Sequence, residues 1–393
     1  MPARMIDLRP QHPTAAPARR LLPLVRLALA GALALPLLAA CGGGAAPETA
    51  PTPSTGGAAS GSATPQPAAV WPLRTREHVD LWLHGFAMLV DDTAQVPIFR
   101  RGYRAAAQAA KGNTTTQLDA ERDRLRQRLA TNPRLALGAQ FVVMPFASWD
   151  ELKGAANVFA QAGGDPQRAS DQRTAAMIAF LAGTFPTAAD REWLRLFVNA
   201  LDDESTRFFH RYWMDAQRDR SPALAAADTM WQRVARPALQ RFLNNTQQRD
   251  GELLLSIVLG GEGRTQTGGT RTSNLVTVGF PASAADAAEV SYAAAHEVAG
   301  TIAGSVVGDN VTPNEQRAGL ADRYVSAAQV RGGLILLQKT APSLAAGYAR
   351  FYLREAGRSA TGDPVAALVA AFPLPSAIAD ALTRQIDITL GGI

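Results

Sequence analysis

Residues 274–301 read NLVTVGFPASAADAAEVSYAAAHEVAGT and combine two different patterns. The run 274–280 is short, apolar and rich in β-branched residues, which predicts a buried strand. A helix of alanine, valine and glycine is predicted over about 284–307. The four-residue spacing of Gly300, Gly304 and Gly308 favours a crowded, central position for this helix in the fold.

The remaining segments predict a mainly helical chain. A second apolar run, 252–259, indicates another strand, and the glycine-rich residues 260–273 are predicted to be the loop joining the two strands. Residues 141–146 are a candidate for a further strand. Segments 77–90 and 114–130 show helical spacing, and further helices are predicted to begin at Thr187 and at Ser221-Pro222. The predicted fold class is mainly α with a small antiparallel β element (α+β).

The charge of the chain does not favour nucleic-acid binding. The formal charge of +5 includes five arginines and one aspartate in residues 1–40. The rest of the chain has 34 basic and 33 acidic residues. Nucleic-acid binding requires a basic face, and this balance supplies little excess charge for one.

The N-terminus predicts where the protein is located. Residues 1–40 carry positive charge and end in an apolar run, 27–40, which is shorter than the about 20 residues of a membrane-spanning helix. This pattern is typical of a secretory signal. Residues 41–70 are rich in Gly, Ala, Pro, Ser and Thr and are predicted to be a disordered tether. Residues 71–393 are predicted to form a single helical domain.

The end of the signal segment, Leu38-Ala39-Ala40-Cys41, resembles the lipobox of bacterial lipoproteins. The resemblance implies cleavage before Cys41, lipidation of its thiol and attachment to a membrane through the acyl chains. Since Gly42 follows Cys41, it also implies the outer membrane, facing the periplasm, if the cell has two membranes. Cys41 is the only cysteine, so no disulfide within the chain is expected.

The pair His296-Glu297 is the one constellation that suggests chemistry. No other charged residue lies between Glu289 and Asp309 in the sequence. Burying a histidine and a carboxylate is costly unless the two are paired or bind a ligand. Two interpretations stay open: His296 is a core histidine satisfied by Glu297 or a backbone carbonyl, or the pair belongs to a functional site.

The order of strands, His-Glu helix and further helices over 253–337 resembles the zincin metallopeptidases. In that family, H-E-x-x-H places two histidine zinc ligands on one helix face, and the glutamate activates the zinc-bound water. The resemblance implies zinc as cofactor, His296 as a ligand and Glu297 as the catalytic base. Gluzincins add a glutamate from the following helix, and Glu315, in Asn314-Glu315, matches it at a shorter spacing. Asp322 and Gln329 are alternatives for that place.

The sequence also departs from the zincin pattern. The second histidine position is Gly300, which offers no ligand atom. Gly300, Gly304 and Gly308 follow His296 at four-residue steps, a strip that indicates close packing of another backbone. A neighbouring residue could then fill the place of the missing ligand.

Three functions are compatible with these patterns. The first is a membrane-anchored envelope lipoprotein with a degenerate, inactive metallopeptidase-like domain. The second is a binding or scaffolding lipoprotein without catalytic ancestry, whose protein or peptide partner is unknown. The third is an active metallopeptidase with a non-standard zinc site, in which His296 and Glu315 bind zinc and Glu297 is the base.

Overall fold

The computed structural model describes residues 70–267, 274–360 and 362–391. The predicted signal segment 1–40, Cys41 and residues 42–69 of the tether lie outside the described residues. None of the helices in the described ranges combines the length and the apolar character that crossing a bilayer requires.

Helices make up most of the described chain, as predicted. The first eight are α1 (Glu77–Leu89), α2 (Tyr103–Lys111), α3 (Gln117–Ala120), α4 (Arg122–Thr131), α5 (Pro133–Gly138), α6 (Trp149–Gln161), α7 (Gln172–Thr184) and α8 (Ala188–Glu204). The next four are α9 (His210–Asp219), α10 (Ser221–Met230), α11 (Arg236–Asn245) and α12 (Ala288–Asn310). The last five are α13 (Pro313–Arg317), α14 (Ala321–Thr340), α15 (Pro342–Glu355), α16 (Pro364–Ala371) and α17 (Ser376–Thr389). Short 3-10 turns cover Pro166–Arg168 and Ala284–Asp286, and π-helical turns cover Ser205–Phe209 and Trp231–Ala235.

The predicted helix starts agree with the structure. Thr187 caps α8 in a capping box with Asp190, because each side chain accepts from the backbone N–H of the other. The Ser221-Pro222 pair opens α10 with proline in its first turn. The predicted segment 114–130 divides into α3 and α4, and its three leucines, Leu118, Leu125 and Leu129, are buried as predicted.

The sheet has four strands: β1 (Leu73–Arg74), β2 (Gly251–Ser256), β3 (Arg264–Thr267) and β4 (Asn274–Gly279). Their order is β1-β2-β4-β3. β1 pairs with β2 and β2 with β4 in parallel, with Leu253 opposite Val276, and only β3 pairs antiparallel with β4. The sheet is therefore mixed and mostly parallel.

The prediction of an antiparallel β element is wrong for the two main strands. It assumed that residues 260–273 form a plain loop between neighbouring strands. Part of that segment is instead β3, which lies on the far side of β4 and pairs with it. After β2 the chain first forms β3 at the edge of the sheet and then turns back to form β4 between β2 and β3. Because β4 is antiparallel to β3, it runs in the same direction as β2. Leu253, Leu254 and Leu255 are all buried, as expected when both faces of a parallel sheet are covered.

The predicted strand at 141–146 is also wrong. This segment forms consecutive turns, with Val142 N–H donating to Ala139 O, Met144 N–H to Phe141 O and Phe146 N–H to Val143 O. The turns bury Val143 and Met144 completely. The apolar run thus reflects burial rather than strand pairing.

Helix α12 occupies the central position predicted for it. It packs against β4, α14, α15 and α17. Its apolar residues join a hydrophobic core that extends from Trp71 to Ile386. Polar side chains on the sheet-facing part of α12 are therefore enclosed by other elements.

Candidate functional site

The candidate site forms where α12 meets the segment that leaves β2. Helix α12 supplies His296 and Glu297, and the segment before β3 supplies Glu262. We call these three residues the His296 group. Gly263 permits this approach, because a Cβ atom there would collide with the carbonyl oxygen of Thr277 and lie 3.3 Å from Glu297 Cδ.

The three side chains lie close together. His296 Nε2 is 3.2 Å from Glu262 Oε2 and 3.8 Å from Glu297 Oε1. Glu297 Oε1 accepts a hydrogen bond of 2.9 Å from the Gly263 N–H. One ligand-type atom from each residue lies within 4.8 Å of the others. His296 is fully buried, whereas the Glu262 side chain is 19% exposed.

Helix α15 closes the group from one side. The Tyr352 ring stacks on the His296 ring, with centroids 4.9 Å apart and an interplanar angle of 27°. The Tyr352 hydroxyl donates to the Gly261 carbonyl, next to Glu262. Among the described residues, His296 Nδ1 has no hydrogen-bond partner. The His296 ring is therefore held by stacking on Tyr352, and no hydrogen bond to Nδ1 from a described residue fixes its orientation.

The electrostatics favour a proton inside the group. Burial opposes a charge on His296, but the Glu262 carboxylate, helped by Glu297, outweighs it and raises the pKa of His296. Burial raises the pKa of Glu297 as well, although His296 and the Gly263 N–H partly offset this. The 3.2 Å separation allows an Nε2–H of His296 to donate to the Glu262 carboxylate.

The place that the zincin pattern would give to a second ligand is occupied by another side chain. A Cβ atom on Gly300 would lie 3.0 Å from Gln329 Nε2 and 3.4 Å from Gln329 Cγ. The side chain of Gln329, on α14, thus lies where the second zincin histidine would project. At Gly308, by contrast, a Cβ atom would meet nothing within 4 Å. The expectation that a neighbouring residue fills this place is confirmed by Gln329. The prediction that another backbone packs along the glycine strip is wrong at both positions, because Gly300 meets a side chain and Gly308 meets nothing.

The structure gives Glu315 other partners. It forms a capping box at the start of α13, accepting from the Thr312 N–H at 2.9 Å and from the Thr312 hydroxyl at 2.7 Å. The Tyr324 hydroxyl also donates to Glu315 Oε1. Glu315 is not part of the His296 group, in which Glu262 is the additional acid. The exposed His210 lies outside the His296 group as well, with its Nδ1 2.9 Å from Glu77 Oε1.

The ligand set does not fit a catalytic zincin centre. Such a centre needs three protein ligands, an open position for water and a separate base. If Glu297 is the base, His296 and Glu262 are the only ligands in the group. If Glu297 is a ligand, the base is lost. A histidine ligand also normally donates its other ring N–H, for which His296 Nδ1 has no acceptor among the described residues.

Sequence reasoning identified His296 and Glu297 but missed Glu262 and Tyr352. Glu262 lies in the sequence Gly260-Gly261-Glu262-Gly263, which indicates a turn. The available signal was that Glu262 is the only acid in the segment joining the two predicted strands. Tyr352 carries no comparable signal, because its contact with His296 depends on how α15 packs.

Comparison with known proteins adds no relative. No protein-family model matches the chain, and no curated protein or solved structure matches it either.

Proposed function

We propose that this protein is a lipid-anchored protein of the cell envelope whose folded part carries a degenerate zincin-like site, and that it acts by binding rather than by hydrolysis. The lipobox ending at Cys41 supports the anchor. The main support for a loss of hydrolysis is that the Gln329 side chain lies beside Gly300, where the second zinc ligand would be. Burial of His296 supports the same conclusion, because a substrate carbonyl must reach a catalytic metal.

Metal analysis of the purified full chain tests the loss of hydrolysis. We expect less than one zinc per chain, even after incubation with excess zinc, and no cleavage of peptide substrates. His296→Ala should leave the zinc content unchanged, as should the control His210→Ala. One zinc per chain that disappears only in His296→Ala, with peptide cleavage abolished by Glu297→Gln, would overturn the proposal.

The anchor needs a separate test. In cells, Cys41→Ser should move the protein from the membrane fraction to the soluble fraction and abolish incorporation of labelled palmitate. Unchanged membrane association of the variant would contradict the anchor without affecting the conclusion about hydrolysis.

A metal-binding function is the second candidate. It is favoured by one observation, the convergence of three ligand-type atoms within 4.8 Å of one another. In this alternative, Glu262, His296 and Glu297 would all be ligands, and no separate base would remain. The same metal analysis distinguishes it: bound zinc without peptide cleavage would select this candidate.

A further inference from the structure

A pair of arginines lies at the carboxyl ends of the two central parallel strands. β2 ends at Ser256, which is paired with Gly279, the last residue of β4. The next carbonyl along β4, Phe280 O, accepts hydrogen bonds from Arg100 Nη2 and, at 2.7 Å, from Arg220 Nη1. In open sheets with parallel strands, this end is where ligands bind.

Separate parts of the chain hold the two arginines in place. Arg100 follows the bridge between Phe99 and Leu259, and its backbone N–H donates to the Val258 carbonyl at 2.8 Å. Arg220 lies between α9 and α10, with its guanidinium 5.6 Å from the centroid of the Phe280 ring. Two guanidinium groups thus meet on one carbonyl oxygen although they come from distant sequence positions.

The pair has few acceptors inside the protein. Each guanidinium has several N–H donors, and each donates only to Phe280 O among the described residues. Arg100 Nε is buried without a hydrogen-bond partner. Burial and the nearby charge of Arg220 lower the pKa of Arg100 to about 10, so both side chains stay charged at neutral pH.

The acids near the pair are engaged elsewhere. Asp80 accepts from Ser256 Oγ at 2.5 Å and from Trp213 Nε1 at 2.8 Å, and burial raises its pKa to about 7. Glu289 and Glu355, which act on Arg100, both form ion pairs with Arg354. Neither arginine forms an ion pair with a described residue, so their charges are incompletely compensated.

We propose that Arg100 and Arg220 form a binding site for a small oxyanion, either a carboxylate or a phosphate group. The planar guanidinium fork matches both groups and can bind them through paired hydrogen bonds. The proposal does not depend on the His296 group.

Isothermal titration of the purified full chain with inorganic phosphate and with acetate, at constant ionic strength, tests the proposal. We expect saturable binding of at least one of them, and the stronger ligand identifies the group that the site prefers. Arg100→Gln and Arg220→Gln should each weaken binding by about tenfold or more. Arg220→Lys should weaken it less than Arg220→Gln, because it keeps the charge but loses the fork.

Arg384→Gln, on the exposed side of α17, is the matched control and should bind the anion as the parent protein does. Circular dichroism checks that each variant is folded. If titration with phosphate or acetate gives no more binding heat than titration with chloride, the proposal is wrong. The two arginines would then only cap the end of the strand. Equal affinities in the folded Arg220→Gln variant and the parent would also overturn it.

Discussion

Two of the buried groups of charged residues in the described chain differ in how their carboxylates are satisfied. In the first, which we call the Glu204 group, the fully buried Glu204 accepts from Lys111 Nζ at 2.7 Å, from the Thr116 hydroxyl and from His84 Nε2 at 3.1 Å. Burial alone would raise the pKa of Glu204, but these donors outweigh it and lower the pKa.

The His296 group shows the opposite balance. The pKa of Glu297 is raised, because burial and the charge of Glu262 outweigh the opposing effects of His296, Arg264 and the Gly263 N–H. His296 Nδ1 also lacks a partner among the described residues. The comparison teaches that burial of charge does not by itself identify a functional site. Unsatisfied bonding capacity is the better indicator, since a structural ion pair rarely leaves any.

Removing charge from the Glu204 group should have the largest effect. Glu204→Gln removes one of the two carboxylates that contact the buried Lys111 ammonium and leaves the partly exposed Asp119, 2.6 Å away, as the other. We therefore expect the free energy of unfolding to fall by up to about 3–5 kcal/mol. Urea denaturation measures this. The control Glu192→Gln removes an exposed ion pair with Arg195 and should cost no more than about 1 kcal/mol. If Glu204→Gln costs as little as the surface control Glu192→Gln, the Glu204 group does not depend on its carboxylate. The contrast with the His296 group would then be wrong.

Removing the imidazole from the His296 group should cost less, and the cost should depend on pH. His296→Gln should lower the free energy of unfolding by about 1.5–3 kcal/mol at pH 6, the range for a hydrogen bond to a charged group. The folded-state pKa of His296 is raised above 6.5, so its stabilisation is complete below that pH and is lost as pH rises through the folded value. The difference between parent and variant should therefore shrink toward pH 9.

Urea denaturation of both proteins at several pH values measures that difference. His210→Gln is the control, because His210 is exposed and should give a small difference at every pH. A His296 difference that grows with pH would show that the imidazole is held neutral in the folded protein.

The smallest effects concern two of the three glycines of α12, Gly300 and Gly308. Gly308→Ala should stabilise the protein by up to about 1 kcal/mol, because alanine favours the helix and nothing lies near the added methyl group. Gly300→Ala should gain less, because Gln329 must move away from the new Cβ atom. Thermal unfolding of the two variants compares them. An equal gain at both positions would mean that Gln329 does not restrict this part of the site.

The sequence predicts the helical class, the helix start at Thr187 and the buried position of α12 because these depend on local spacing. It does not predict the strand direction. β2 and β4 would look the same in sequence whether parallel or antiparallel, and the decisive fact is that β3 lies outside β4. Residues 141–146 show the same limit, since an apolar run indicates burial but not the backbone conformation.

Half of the candidate site could be predicted. His296 and Glu297 are visible because two titratable residues interrupt an otherwise apolar helix. Glu262 is brought to them by the path of the chain between β2 and β3, and Gln329 by the packing of α14 on α12. Contacts between distant segments have no periodicity in the sequence, so the replacement of the missing ligand could be anticipated only in general terms.

Zinc affinity after restoring the missing histidine tests the central claim most directly. Gly300→His combined with Gln329→Ala supplies the second ligand and clears the space for it. If the site is a decayed zincin centre, the double variant should bind zinc at least ~tenfold more tightly than the parent, and adding His296→Ala should abolish the gain. A double variant that is folded by circular dichroism but binds zinc no better than the parent would contradict the account.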